Sequence, residues 1–446
     1  LGGDLDLTEI ETLGKGAFEL DGIMSDIGTN YIHENGLEFN NVKLGDKLKT
    51  IEIWTFYGRY IKNITLGNGI VEIKRESFWN NNFSEVVIPD SVTTIAKWAF
   101  ADCPNLHSVT YGANMSNESQ LGFTHISTGP VVEICNRSQY VTSARPAGTA
   151  VFITSEEDKG EIVTDSNNFR FYINAKLNVR VLLKSLNGTV TTLPDAAPDG
   201  GTYEVGYYAF REKFRGTKLE VPEKVTRIRN GAFAISPSLT TVILGNGVTQ
   251  IDEDAFSTCQ NLLSVTLGAS VQSIGNNAFN NCDRLIEVAN LSTLDIKTKS
   301  YDNGRVACYA LNVYDPKVAE SKLFTTDDGY MFYADLDNAT VYLVSYTGGE
   351  KHLVLPDNFL GEAYGLYAYA FYGCDGMTGI VIPESITTID ESALCCTGLT
   401  VYCKGESAGE NWGNDWNGWG CPVVWDCDNN DTDEDGYAYA VIDGIR

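Results

Sequence analysis

One stretch of this sequence occurs twice in nearly the same form, 23 residues apart. "QIDEDAFSTCQNL" begins at Gln250, and "SIGNNAFNNCDRL" begins at Ser273. A fixed period of about 20–29 residues with recurring apolar positions is typical of solenoids, in which stacked coils share one core. Phenylalanines, with one leucine, continue the period at steps of 22 or 23 residues in three runs: Phe56, Phe78 and Phe100; Phe210, Phe233, Phe256 and Phe279; Phe371 and Leu394.

Each coil contains the pattern of one short strand. In "NLLSVTLGASVQSIGNNAF", Leu262, Val265 and Leu267 are the inward residues of the strand, Gly268 turns the chain, and Phe279 closes the coil. Stacked coils would form a parallel sheet with strands about 4.8 Å apart and a turn-rich return side that carries the phenylalanine. The sequence therefore predicts a leucine-rich repeat solenoid with a short parallel β-sheet face.

The residues that alternate with these apolar positions are predicted to face outward. Their side chains are small, β-branched or weakly polar, which suits a contact surface and offers no nucleophile–base pair. We expect a binding face there and no catalytic residue. The outward pairs are Asn63 and Thr65, Glu85 and Val87, Ser108 and Thr110, Thr241 and Ile243, Ser264 and Thr266, and Gly379 and Val381. The predicted binding residues are Asn63, Thr65, Glu85, Ser108, Thr241, Ser264 and Thr266.

Two segments interrupt the coil rhythm. Residues near 165–194 and 326–356 alternate polar and apolar side chains with period two, which predicts β-hairpins. Asn187–Gly188 and Gly348–Gly349 are the predicted hairpin turns. The two segments match at an offset near 161, so a large unit of coils plus hairpin is itself repeated.

These features predict six regions along the chain. The first array of coils, with an irregular start, spans 1–130, and a β-rich insert spans 131–204. A second array spans 205–290, and a second β-rich insert spans 291–364. The final coils with a Trp- and Cys-rich cap span 365–427, and the start of a truncated further unit spans 428–446.

Composition narrows the possible partners. The chain has 446 residues and a net charge of −27, from 32 basic and 59 acidic residues. This balance argues against nucleic acid and against an anionic membrane surface, since both attract basic patches. No stretch has the apolar length of a membrane helix, so we expect no membrane insertion in this segment. Because residue 1 already lies within a repeat, we expect this sequence to be a piece of a longer chain.

Four of the eleven cysteines occupy one position of the repeat, three residues after the phenylalanine. Other coils place Asn81, Ser236 or Thr397 there. This alternation indicates a small buried side chain that hydrogen-bonds to neighbouring backbone. Metal binding is the alternative, but it lacks a CxxC pair and nearby histidine. We therefore predict no metal or cofactor at Cys103, Cys259, Cys282 and Cys374.

The segments "IPDSVTTIAKWAFADCPNL", "SIGNNAFNNCDRL" and "IPESITTIDESAL" resemble the BspA-type leucine-rich repeat, and the ending "LTVYCKGESAGENWGNDWNGWGCPVVW" resembles the terminal cap common in that family. The resemblance covers nearly the whole chain. It implies an extracellular or wall-attached surface protein of a host-associated bacterium, with a role in adhesion to host matrix proteins or to other cells. In such a secreted setting Cys403 and Cys421 are the best disulfide candidates, and Cys427 competes with them.

The remaining motifs have structural interpretations beside the functional ones. The four histidines (33, 107, 125 and 352) lack partners at ligand spacing. "DTDEDG" at 431–436 imitates the start of an EF-hand loop, but Ile442 stands where the loop needs glutamate, and the segment also matches the first strand of a further insert. Trp412, Trp416, Trp419 and Trp425 suit either a sugar-stacking platform or a plug for the open end of the solenoid, which we favour.

Two classes of function remain open at this stage. The first is a non-enzymatic scaffold that binds a host or microbial surface protein through the sheet face. The second is a glycan-binding surface protein, favoured by 23 tyrosines, many in the inserts. A purely structural stalk is a third possibility. A solenoid of short coils offers no cleft for paired catalytic carboxylates, so we predict no enzyme.

Overall fold

The computed structural model of the protein describes residues 3–18, 38–101, 103, 106, 108–112, 114, 160–374, 376–417 and 420–427, together with the backbone of 132–135 and 151–153. These residues form a parallel β-solenoid of about 14 turns. Helix is limited, within them, to two three-residue 3-10 segments at Asn303–Arg305 and Leu336–Asn338. The predicted solenoid is confirmed.

The first array consists of short parallel strands in two rows. Asn63 and Glu85 begin strands on the face that the sequence predicts, and Ile73 lies in a second, narrower row on the flank of the coil. The strands are β1 Gly3–Leu7, β2 Phe39–Leu44, β3 Thr50–Ile51, β4 Asn63–Thr65, β5 Glu72–Ile73, β6 Glu85–Val87, β7 Thr94–Ile95, β8 Ser108–Tyr111, β9 Val132–Cys135 and β10 Val151–Ile153.

The first insert leads directly into the second array. Its last strand pairs in parallel with the first flank strand of the array, so the insert continues the flank sheet. The insert strands are β11 Glu161–Thr164, β12 Phe169–Asn174 and β13 Val179–Ser185. The array strands are β14 Tyr203–Val205, β15 Lys218–Val221, β16 Val225–Ile228, β17 Thr241–Leu244, β18 Gln250–Ile251, β19 Ser264–Leu267, β20 Ser273–Ile274, β21 Glu287–Asn290 and β22 Asn312–Tyr314.

The second insert and the third array repeat this arrangement. The insert strands are β23 Leu323–Thr325, β24 Tyr330–Asp335 and β25 Thr340–Tyr346, and β25 again pairs in parallel with the first flank strand of the array. The array strands are β26 His352–Val354, β27 Gly365–Leu366, β28 Gly379–Ile382, β29 Thr400–Cys403 and β30 Val423–Val424. Isolated bridges from Leu366 to Ile389 and from Ile389 to Trp412 extend the flank row.

Both inserts contain the predicted antiparallel hairpins, but their turns lie elsewhere than predicted. The chain reverses at residues 175–178 between β12 and β13, and at Leu336–Ala339 between β24 and β25. Asn187–Gly188 and Gly348–Gly349 follow the hairpins instead, where each insert passes into the next array. The glycine pairs therefore mark the exit from the hairpin, and the prediction of their position was wrong.

The phenylalanines form two continuous ring stacks inside the coils. All eight of the predicted phenylalanines are at most 2% exposed. Phe233 and Phe256 have ring centroids 5.4 Å apart, Phe256 and Phe279 5.1 Å, and in both pairs the planes are nearly parallel. Offset-parallel rings at this distance contribute about 0.5–1.5 kcal/mol beyond the apolar area that they bury. In the coil after Phe371, Leu394 takes the same buried position.

The turns around each phenylalanine use left-handed backbone at two fixed positions. The residues two before and two after the ring have positive φ in coil after coil, for example Asp254 at 55° and Thr258 at 62° around Phe256. Most of these residues are not glycine, and Ile235 and Thr258 are β-branched. Left-handed backbone costs roughly 1–2 kcal/mol for such residues, so the stacking of the coils maintains local strain.

The repeated cysteine donates to the backbone of the preceding coil. Cys282 Sγ lies 3.2 Å from the carbonyl oxygen of Phe256, and Cys259 Sγ lies 3.4 Å from that of Phe233. Ser236 donates instead to its own coil, at Phe233. The predicted role of this position is therefore observed. One assignment was wrong: Cys396, not the exposed Thr397, fills the position in the coil of Leu394, because its Sγ reaches the carbonyl of Phe371 at 3.0 Å.

Within the described residues, three hydrophobic cores follow the three arrays, and a smaller core joins the last two arrays. At that junction Arg284 is 4% exposed, and its guanidinium donates to Asn261 at 2.6 Å and to the carbonyl of Val344 in the insert at 3.1 Å. Glu287, also buried, accepts from Ser321 and from the backbone of Lys322. These two buried charges attach the second insert to the end of the second array.

Candidate functional site

The second array places its outward residues in two straight rows. Residues on adjacent strands are in register, so Thr241 lies beside Ser264, whose hydroxyl is 3.4 Å from that of Thr241. Thr266 lies in the parallel row next to Ile243. All four side chains are partly exposed, and the alternate residues are buried. The predicted residues Thr241, Ser264 and Thr266 therefore form one surface, which we call the second-array face.

The first array exposes a second part of the predicted face. Asn63, Thr65 and Glu85 are exposed. Asn63 donates to Asn41 at 3.1 Å, and Asn41 donates to Asp4 at 2.7 Å, so the outer side chains form a ladder of amide hydrogen bonds along the coils. This ladder holds the side chains in place on the surface.

The outward rows do not stay exposed along the whole chain. Ser108 is only 3% exposed, and its neighbours in the ladder are Glu85 and Val132. In the third array, a Cβ atom at Gly379 would lie only 2.6 Å from the ring of His352. The imidazole of His352 therefore covers this outward position. Val381 is buried as well. The accessible residues of the predicted binding set therefore lie in the first and second arrays.

A groove of about 990 Å³ adjoins the second-array face. The ends of β15, β17 and β19 form its floor, with Ile243 and Thr266 among the lining residues. The groove is also lined by residues that follow β13, namely Thr191, Thr192, Leu193, Asp195 and Ala196. Lys218 and Glu220, which form an ion pair, stand at the rim. Sequence reasoning missed this groove, because its lining residues lie far apart in the sequence.

The tryptophans of the cap form a cluster against the third core. Trp412 has its ring centroid 5.0 Å from that of Trp416 and 6.0 Å from that of Trp425. All three are half-buried and pack against the core of the third array. This packing supports the plug more than a sugar platform. Trp419 lies outside the described residues.

The described part of the chain contains no group of three or more His, Cys, Asp or Glu side chains that could hold a metal ion. His352 contacts the hydroxyl of Thr378 at 3.2 Å, whereas residues 33, 107 and 125 lie outside the described residues. The acidic segment 431–436 also lies outside them. No helix in the described ranges is long and apolar enough to cross a membrane.

The stacked coils, the strand face and the buried phenylalanine define a leucine-rich repeat protein. The family model of the BspA type leucine rich repeat region matches six copies, at residues 26–137, 201–307 and 357–405. These ranges make up more than half of the chain, and the chain belongs to this family.

Several solved structures are similar at low sequence identity. A leucine rich cell surface protein from Faecalibacterium prausnitzii is 18% identical over 56% of this chain and 79% of its own, with a TM-score of 0.27. The pneumococcal vaccine antigen PcpA is 13% identical over 90% and 82%, with a TM-score of 0.32. A leucine-rich repeat protein from Eubacterium ventriosum is 13% identical over 85% and 82%, with a TM-score of 0.28. No curated protein sequence matches the chain.

Proposed function

We propose that this protein is a non-enzymatic scaffold that binds another protein through the second-array face. The observation that carries the proposal is the pair of in-register rows around Thr241, Ser264 and Thr266, which are accessible and stand on a fully packed core. Short side chains on a fixed backbone lose little rotamer entropy when a partner docks. The surface is therefore organised for binding before any partner arrives.

The size of the face indicates how a partner would use it. Five strands at about 4.8 Å spacing and about four residues each give a projected area of roughly 20 by 13 Å. A stable protein interface buries about 800 Å² on each partner, which is well above this projected area. A partner would therefore also occupy the adjoining groove, whose lining includes Ile243 and Thr266.

We further propose an extracellular or cell-surface location. Membership of the BspA-type repeat family supports this location. The partner in this proposal is a protein on a host cell or on a neighbouring microbial cell.

A binding screen in two arms tests the proposal. The purified chain is applied to a panel of host matrix and microbial surface proteins and, in parallel, to a glycan array. We expect saturable binding to a protein. The triple variant with Thr241→Lys, Ser264→Lys and Thr266→Lys should lose it, because three long charged side chains occupy the face. The matched control carries Thr249→Lys and Gln272→Lys, which are exposed outside the face strands.

Three outcomes would contradict the proposal. Binding to glycans alone would favour a lectin function. Unchanged binding by the folded triple variant would place the site elsewhere. Absence of any ligand in both arms would favour a stalk that holds another module away from the cell.

A further inference from the structure

Two cysteines lie next to each other on the last two turns of the third array. Cys403 ends β29, and Cys427 follows β30 after Asp426, which has a φ of 54°. The N–H of Cys427 donates to the carbonyl of Cys403 at 3.0 Å. This direct backbone bond makes the two residues immediate neighbours, and the α-carbons of disulfide-bonded cysteines lie about 4.4–6.8 Å apart. The two residues are 1% and 3% exposed.

The structure joins neither the predicted pair Cys403 and Cys421 nor the competing Cys427 in a disulfide. Cys421 fills the repeated cysteine position of its coil, and its Sγ lies 3.6 Å from the carbonyl oxygen of Cys396 and 3.8 Å from that of Leu394. The Cys421 side chain therefore belongs to the thiol ladder, the series of repeated cysteines whose thiols approach backbone carbonyls of the preceding coil. Cys427, the competing candidate from the sequence, is therefore the better partner for Cys403.

We propose that Cys403 and Cys427 form a disulfide bond that closes the C-terminal cap. The oxidant is a small-molecule disulfide, such as glutathione disulfide. The thiolate of one cysteine attacks the oxidant and releases one thiol; the second cysteine then attacks the mixed disulfide and releases another. Two protein thiols and one small disulfide thus become one protein disulfide and two small thiols.

The bond forms while the cap is still folding. Thiolates rather than thiols attack disulfides. In the folded chain, burial and the neighbouring Cys427 raise the pKa of Cys403 to about 12. The folded, reduced protein therefore holds almost no reactive thiolate at this position, whereas the unfolded chain has an ordinary thiol. Once formed, the buried bond is shielded from reductants.

The segment between the two cysteines contains the tryptophans that cover the end of the third core. Trp412, Trp416 and Trp425 all lie between Cys403 and Cys427. A bond between the ends of this segment ties the last strand to the preceding one and limits opening of the cap. It acts independently of ligand binding at the second-array face.

Oxidative refolding followed by peptide mapping tests this proposal. The chain is unfolded and reduced, refolded with reduced and oxidised glutathione, and trapped by alkylation. Cleavage before Asp426 separates Cys427 from Cys421, and cleavage after Tyr402 separates Cys403 from Cys395 and Cys396. We expect a cross-linked peptide containing Cys403 and Cys427. The variants Cys403→Ser and Cys427→Ser should lack it, and Cys421→Ser should retain it.

The thermal unfolding temperature of the refolded proteins is a second, independent test of the disulfide. Oxidised wild type should unfold at a higher temperature than Cys427→Ser, and a reductant added during refolding should remove the difference. The proposal is overturned if a peptide linking Cys403 to Cys421 dominates. It is equally overturned if Cys403 and Cys427 of the wild type are both fully alkylated after refolding to the native circular dichroism spectrum. If Cys421→Ser fails to fold, the wild-type peptide map decides alone.

Discussion

The phenolic hydroxyl of Tyr364 donates a hydrogen bond to the backbone carbonyl of Pro356 at 2.7 Å. Tyr203 makes the same bond to Pro194 at 2.5 Å, one large repeat earlier in the chain. Both tyrosines are at most 1% exposed, and Tyr364 packs edge-on against Phe332 of the preceding insert. Tyr203 packs edge-on against Phe171 in the same way, so this ring contact joins each insert to the array after it.

This contact predicts a loss of stability at alkaline pH. Burial raises the pKa of Tyr364 well above its ordinary value of about 10. The stability that this neutral phenol contributes is fully present below about pH 10 and is lost as pH rises from there through the folded-state pKa. We expect Tyr364→Phe to cost about 1 kcal/mol at neutral pH, through loss of the hydrogen bond, and to weaken the alkaline decline.

Urea unfolding between about pH 7 and 11 measures both effects. Tyr301→Phe is the matched control, since Tyr301 is 70% exposed. An equally steep alkaline decline in the Tyr364→Phe variant would show that this tyrosine is not responsible.

The ring stack predicts a large cost for truncating one phenylalanine. Phe256→Ala should reduce the free energy of unfolding by about 3–5 kcal/mol, since it leaves a cavity between two stacked rings. Phe324→Ala is the control, because Phe324 is 40% exposed, and it should cost less than about 1 kcal/mol. Similar losses in both variants, measured by chemical denaturation, would contradict the account of the core.

The left-handed positions predict a stabilising glycine. Thr258→Gly removes the clash of a β-branched side chain at a φ of 62° and should raise the free energy of unfolding by about 1 kcal/mol. Asn281 occupies the equivalent position with a φ of 56°, and asparagine tolerates this backbone. Asn281→Gly should therefore have little effect. A lower melting temperature for Thr258→Gly would refute the expected strain.

The thiol ladder predicts an order of chemical reactivity. Burial raises the pKa of Cys282, which lies 2% exposed beneath the next coil. Cys308 is half-buried. Under native conditions an alkylating reagent should modify Cys308 before Cys282, because only the thiolate reacts and the reagent must reach it. Mass spectrometry of timed samples gives the order, and faster labelling of Cys282 would contradict the burial of the ladder.

The sequence predicts the features of this fold that recur in every coil. The 22- and 23-residue steps identify the buried phenylalanines and the face strands, because each coil must fill the same space. The flank strands could not be predicted, because a two-residue strand such as β18 has only one buried residue, Ile251, and so shows no alternating pattern. The left-handed turns could not be predicted either, because residues such as Ile235 and Thr258, rather than glycine, have positive φ there.

Features that depend on long-range neighbours could not be read from the repeat. The period marks Gly379 as outward, yet His352 of an earlier coil covers it. The groove brings Thr191 and Leu193 together with Thr266, which lies far away in the sequence. In the coil of Leu394, Cys396 fills the repeated cysteine position although it is two, rather than three, residues after Leu394. In each case geometry between coils, rather than the local pattern, decides the outcome.

Titration of an identified protein ligand against the triple variant tests the central claim most directly. The two chains compared are the one with Thr241→Lys, Ser264→Lys and Thr266→Lys, and the control with Thr249→Lys and Gln272→Lys. We predict at least about tenfold weaker binding by the first, equivalent to about 1.4 kcal/mol, with wild-type affinity in the control. Equal affinity in both folded variants would contradict the assignment of binding to the second-array face.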